Sequence, residues 1–209
     1  EKRVKDILLF DLDGTLFNTK EGIVNCVIYA LDYYGIKEEN VESLDKFIGP
    51  PLHKSFQMFY GFSEEKGIEA AAKYRERYKD KGIFECTPYD GIEKMLKTLK
   101  DSGKRLGVAT SKPEVFAVRI MEKFGIADYF EHITGSLLDN SRSSKTEVIL
   151  EALRRFNAES ETQNVVMIGD REHDILGAKE TNMQSVGVEY GFAKTNELKE
   201  AGADYIVNN

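Results

Sequence analysis

Cysteine and histidine are scarce in this chain: two of the first and three of the second in 209 residues. Cys26 and Cys86 stand far apart, with neither metal-site nor redox spacing, so a disulfide framework is not expected and the pair reads as reduced thiols in a cytoplasmic protein. So few histidines, with no cysteine cluster beside them, give no zinc site to expect. Long apolar runs are also lacking. Nothing approaches the roughly 20 residues that cross a bilayer, and the charged start Glu1-Lys2-Arg3-Val4-Lys5-Asp6 has no signal-peptide core. Basic charge is outnumbered, 29 Lys and Arg against 36 Asp and Glu, for a net charge of −7. That excess runs along the chain instead of in a block, and excludes the basic footprint of a general nucleic-acid binder. What remains is 41% hydrophobic and 11% aromatic, enough for the core of one large domain or one domain with an insertion.

The densest short apolar run, Ile7-Leu8-Leu9-Phe10, leads straight into Asp11-Leu12-Asp13-Gly14-Thr15. Such a run reads as a strand buried on both faces. Acids two positions apart in an extended segment point the same way, and Gly14 permits a sharp turn after them. Two crowded carboxylates repel, so a cation or a shared proton is expected between them; a solvated polar turn is the alternative that this stretch alone leaves open.

The periodicity then turns helical. Ile23, Val24, Val27, Ile28 and Leu31 form one stripe, closed by Gly35. Short helices are expected around 41–48 and 52–59, separated by Gly49-Pro50-Pro51. Another runs from a Ser63 cap to about Lys81. From Thr87 on, strands and helices alternate: strands at 105–109, 129–134, 165–168, 185–188 and 205–207; helices near 92–99, 113–124, 145–156, 174–181 and 195–201. Alternation of this kind predicts an α/β fold, a Rossmann-like parallel sheet covered on both faces. A crossover needs only about a dozen residues, so the longer segment after the first strand reads as an inserted all-α cap. The expected division is 1–18 with 85–209 for the core and 19–84 for the cap.

Polar features recur where strands end, which is where open α/β sheets bind ligands. Thr110-Ser111-Lys112 is expected to end a strand and open a helix at Pro113, giving backbone N–H groups and a hydroxyl for an anion; an ordinary helix cap reads equally well. Lys145 begins a helix, where its charge opposes the dipole by roughly 0.3–1 kcal/mol; it either neutralises a bound anion or is simply solvated. Asp170 follows Gly169 at a strand tip and suits Mg²⁺, which takes few carboxylates. Asp174 either braces that site or caps the next helix, and His173 reads as a neighbour of the site, not a ligand.

Taken together, Asp11-Leu12-Asp13-Gly14-Thr15-Leu16, Thr110, Lys145 and Gly169-Asp170-x-x-x-Asp174 resemble the four motifs of the haloacid dehalogenase (HAD) superfamily, and the chain is most similar to its phosphoglycolate phosphatase-like branch, which carries a small helical cap. The resemblance spans essentially the whole chain. It implies a central Asp11 strand flanked by those of Thr110 and Asp170, and a Mg²⁺-dependent phosphatase acting through an aspartyl-phosphate on a small phosphorylated metabolite. It further implies Asp11 as nucleophile and Asp13 as acid and base. Asp11, the Asp13 backbone carbonyl and Asp170 would hold the metal; Gly14, Thr110, Ser111 and Lys145 would hold the phosphoryl group; and Asp174 would brace the site. Gly49-Pro50-Pro51 is the candidate cap loop facing the chemistry, or a plain turn between helices. A monomer or weak homodimer is expected, away from membranes and nucleic acid. Rival readings are a 5′-nucleotidase, a sugar-phosphate phosphatase or phosphomutase of the same superfamily, and, in another class, a non-catalytic phospho-acceptor or scaffold domain. A 2-haloacid dehalogenase needs neither Asp13 nor Gly169-Asp170.

Overall fold

Four apolar residues, Ile7–Phe10, form β1, and all but Leu8 are buried. In the computed structural model, which describes residues 5–209, this strand lies in the middle of a parallel sheet. The charged start therefore falls partly outside the described residues, at 1–4. After β1 the chain passes through β2 (Phe17–Asn18), a helical segment and β3 (Thr87–Pro88). It then alternates through α4 (Ile92–Asp101), β4 (Arg105–Pro113), α5 (Glu114–Lys123), β5 (His132–Ser136), α6 (Lys145–Arg155), β6 (Val165–Gly169), α7 (Glu172–Glu180), β7 (Gln184–Val188), α8 (Glu197–Ala201) and β8 (Tyr205–Val207). The helical segment holds α1 (Lys20–Tyr33), a 3-10 turn (Val41–Phe47), α2 (Leu52–Tyr60) and α3 (Glu64–Tyr78).

The sheet order is β5-β4-β1-β6-β7-β8, with β1 hydrogen-bonded to β4 on one side and β6 on the other. The chain thus builds outward from β1 first one way and then the other, and strand order reverses beside it, the place where such sheets take ligands. Register does the rest: Phe10 pairs with Val108 and with Ile168, so Asp11, Thr110 and Asp170 emerge within a residue or two of the same level. One face of the sheet packs Leu9, Met167 and Ala109 against Val148, Ile149 and Leu153 of α6. That apolar layer fixes α6, and with it Lys145, against the strand ends.

The chain divides into two compact units, one comprising residues up to 17 and 88–209, the other 18–87. The second is helical between its two ends, which belong to β2 and β3. Its aromatic residues pack together, with Phe47 centred 5.0 Å from Phe56 and 5.3 Å from Phe59. Ser63 caps α3 by accepting from the Lys66 N–H, and Gly61 ends α2 at φ 66°. Two local expectations need correction. The segment 41–47 is a 3-10 turn, where the Ser43 N–H and hydroxyl both bond the Asn40 carbonyl; such side-chain bonding competes with the α pattern. And Thr110-Ser111-Lys112 does not open a helix. Strand β4 runs on through them to Pro113, which pairs with Ser136 after an irregularity in register. A proline keeps the residue before it extended, so α5 begins only at Glu114.

Candidate active site

At the C-terminal end of β1, the Asp11 N–H still donates to Ile168 at 2.8 Å. The chain then turns at Gly14, with φ 82°, a conformation that favours glycine. A second constraint acts there: a Cβ on Gly14 would overlap the Asp170 carboxylate. Asp11, Asp13, Asp170 and Asp174 are all buried, as are Lys112 and Lys145. Four carboxyl groups therefore crowd against two ammonium groups, so the cluster is short of positive charge.

Lys145 is the hub. As the first residue of α6 it projects toward the helix N-terminus, the direction in which helical side chains lean. Its Nζ lies 2.8 Å from Asp11 Oδ1, 2.9 Å from Asp174 Oδ1 and 2.9 Å from the Ala109 carbonyl. Burial alone would lower its pKa, but Asp11 and Asp174 outweigh that and hold it above the usual lysine range. The placement against the helix dipole is thus compensated by two carboxylates. A capping box also fixes this end of the helix: Ser144 accepts from the Glu147 N–H, and the Glu147 carboxylate accepts from Ser144. Asp174 both braces the site and caps its helix, since Oδ2 accepts from the Arg171 N–H at 3.1 Å while Oδ1 meets Lys145.

Asp11, Asp170 and Asp174 can each offer an oxygen within 4.8 Å of the others. Burial, then Asp174, push the Asp11 carboxyl up to about 7 against the pull of Lys145. Burial, then Asp11 and Asp174, raise Asp170 in the same direction. Crowding of this kind favours the protonated form of both groups, and a cation among them would oppose it. The donor set is all oxygen, and it fits a hard divalent ion such as Mg²⁺. Each of the three already has partners: Asp174 meets Lys145 and the Arg171 N–H, Asp11 meets Lys145, and Asp170 accepts from the Phe192 N–H.

Asp13 stands apart from that cluster. Its Oδ1 lies 3.2 Å from Lys112 Nζ, near enough to pair as ions, yet it accepts no aligned hydrogen bond. Thr110 is buried beside them, and its hydroxyl oxygen accepts from the Lys112 N–H at 3.1 Å, leaving its own proton to be donated elsewhere. Ser111, next in β4, is half-buried and its carbonyl accepts from the Ser136 hydroxyl at 2.8 Å. His173 is half-buried on α7, outside the carboxylate cluster. Gly49-Pro50-Pro51 lies in the helical unit, between the 3-10 turn and α2.

Two contributors carry no signal in the sequence pattern. One is Lys112, a single lysine among many, set against Asp13 by the extension of β4. The other is the turn after β7, where the Phe192 N–H donates to Asp170 Oδ2 at 2.7 Å; a backbone donor has no residue type to read.

Residues 8–188 match the sequence profile of the haloacid dehalogenase-like hydrolases. A 5′-nucleotidase of Pseudomonas aeruginosa is 44% identical over 92% of this chain and 86% of its own length. The tyrosine-protein kinase PtkA of Mycobacterium tuberculosis is 36% identical over 97% of this chain and 68% of its own. The crystal structure of a predicted phosphatase from Clostridium acetobutylicum superposes with a TM-score of 0.95 at 49% identity, covering 99% of this chain and 94% of that one. With a profile match over most of its length and relatives of this identity, the chain belongs to the haloacid dehalogenase-like hydrolases and is a phosphatase of that family.

Proposed function

We propose that this phosphatase hydrolyses a small phosphomonoester through a phosphoryl group carried on Asp11. The observation that carries the proposal is the buried Asp11 carboxylate, held 2.8 Å from Lys145 within a cluster short of positive charge. An Asp11 oxygen attacks phosphorus, and the bond to the leaving oxygen breaks as Asp13 delivers a proton to it. Asp13, now a carboxylate, takes a proton from water as that water attacks phosphorus. The bond to Asp11 breaks, releasing phosphate and restoring both aspartates. Lys145 and the Thr110 hydroxyl, with the Ser111 N–H and the Gly14 turn, hold phosphoryl oxygens, where positioning and charge supply most of the rate. Mg²⁺ held by Asp11, Asp170 and the Asp13 carbonyl would supply positive charge against the carboxylates and the phosphoryl oxygens.

The relative named 5′-nucleotidase supports nucleoside 5′-monophosphates as the first substrate class to test, ahead of phosphoglycolate and sugar phosphates. The helical unit is assigned the role of a cap that selects the leaving group, because it is inserted only a few residues after Asp13. The two thiols, both free of disulfides, support a cytoplasmic setting. A phosphate-release screen over nucleotides, phosphoglycolate and sugar phosphates with Mg²⁺, using Asp11→Asn as the blank, tests the reading. Hydrolysis of 5′-nucleotides with a silent blank is expected; turnover confined to sugar phosphates, or an active blank, would contradict it.

A further inference from the structure

We propose that the turn Tyr190–Phe192, after β7, sets the orientation in which Asp170 takes a divalent cation. The proposal rests on the reading of Asp170 as a cation ligand, and the three residues are positioning residues.

Three contacts converge on this turn. The Phe192 N–H donates to Asp170 Oδ2 at 2.7 Å. Gly191 lies so near that a Cβ added to it would overlap the Asp170 Cβ, its Oδ2 and the Gly14 carbonyl. The Tyr190 hydroxyl donates to the Thr15 carbonyl at 2.8 Å. Thr15 in turn places its hydroxyl 3.4 Å from Asp170 Oδ1. One short turn thus grips Asp170, at the end of β6, and the Asp11–Thr15 loop, at the end of β1. Asp170 also occupies the space that a side chain on Gly14 would fill. The carboxylate is packed against two glycines and a backbone donor, and its rotation is restricted before any ion arrives.

Mg²⁺ demands near-ideal octahedral geometry, so a ligand already oriented gains more for it than for a tolerant ion. Outer partners of metal ligands are typically worth about 10–100-fold in affinity. Gly191 is the direct probe: its φ is not in the left-handed region, so an alanine acts through its methyl, which would press on both the Asp170 side chain and the Gly14 carbonyl.

The test is isothermal titration of Mg²⁺ into the full chain, paired with melting of the metal-free protein. Asp170→Asn should abolish measurable binding. Gly191→Ala should weaken Mg²⁺ by about 10–100-fold in a protein that still folds, with some loss of metal-free melting temperature because the methyl also meets the Gly14 carbonyl. Tyr190→Phe removes one hydroxyl and adds no volume; by the usual worth of one hydrogen bond it should weaken binding about two- to tenfold. If Asp170→Asn binds Mg²⁺ like wild type, the reading of Asp170 fails and this proposal with it. If Asp170→Asn loses binding but a folded Gly191→Ala binds within about twofold of wild type, which is less than one typical hydrogen bond, the reading survives and the proposal is overturned. A lowered metal-free melting temperature with unchanged affinity assigns the turn to stability alone and overturns it equally. Should Gly191→Ala fail to fold, unchanged affinity in Tyr190→Phe overturns the proposal.

Discussion

Lys145 shows how a residue that looks misplaced in sequence is placed correctly in three dimensions. A cation at a helix start opposes the dipole, but Asp11 and Asp174 each stand within 2.9 Å of its ammonium. Asp11→Asn removes the carboxylate proposed as nucleophile and should lower phosphate release at least about a thousandfold, while circular dichroism stays that of the wild type. Asp13→Ala should slow alkyl phosphates, whose leaving groups need a proton, about 100-fold or more, and aryl phosphates much less. Equal losses on both would remove Asp13 from the acid role. Lys112→Met should reproduce that asymmetry more weakly, about tenfold on alkyl phosphates, because Lys112 bears on Asp13 at 3.2 Å; a uniform rise in KM would instead make it a phosphate contact. The acids, Thr110 and Lys145 were legible because each sits at the end of an apolar strand or the start of a helix. Lys112 and the Phe192 N–H were not, since the first depends on an irregular strand end and the second on no side chain.

Among the elements, α6 does the most positioning, and its own start decides where Lys145 sits. The Ser144 and Glu147 capping box can be tested alone. Ser144→Ala should cost about 1 kcal/mol and lower the melting temperature by about 2–4 °C in a protein of this size, with a matching fall in kcat as Lys145 loosens. Unchanged melting would show that packing of Val148, Ile149 and Leu153 fixes the helix without its cap. Helices and strands of the core were legible from period and glycine punctuation, as at Gly103 and Gly125, which follow α4 and α5 at φ 80° and 71°. The extension of β4 to Pro113 was less so. Thr-Ser-Lys-Pro reads locally as a helix opening, and only pairing with the remote Ser136 carries the strand through it.

Across the whole molecule, the crowding of buried carboxyl groups ties stability to pH and to metal. The Asp11 carboxyl stands at about 7, raised from 3.8. Between those values the folded, metal-free protein keeps a proton that the unfolded chain has released. Stability therefore falls as pH rises through that window, and the loss is complete above it. Asp170 shifts in the same direction. An ion that takes the place of those protons must bind better as they leave. Mg²⁺ should raise the melting temperature little near about pH 5 and substantially near about pH 8; an equal rise at both would mean that these carboxylates do not hold it. The long interval between the first and second strands of the sheet made the inserted helical segment legible, but the substrate is written in no motif.

Catalysis through Asp11 requires a phosphoryl group on its carboxylate during turnover. Acid quench of the Mg²⁺-loaded enzyme during turnover of a 5′-nucleotide, followed by borohydride reduction and peptide mass spectrometry, reads this directly. Reduction should convert the phosphorylated aspartate at position 11, and only there, to homoserine, and Asp11→Asn should show no conversion. Full phosphate release with no modified Asp11, or the phosphoryl group on another side chain, would contradict the account.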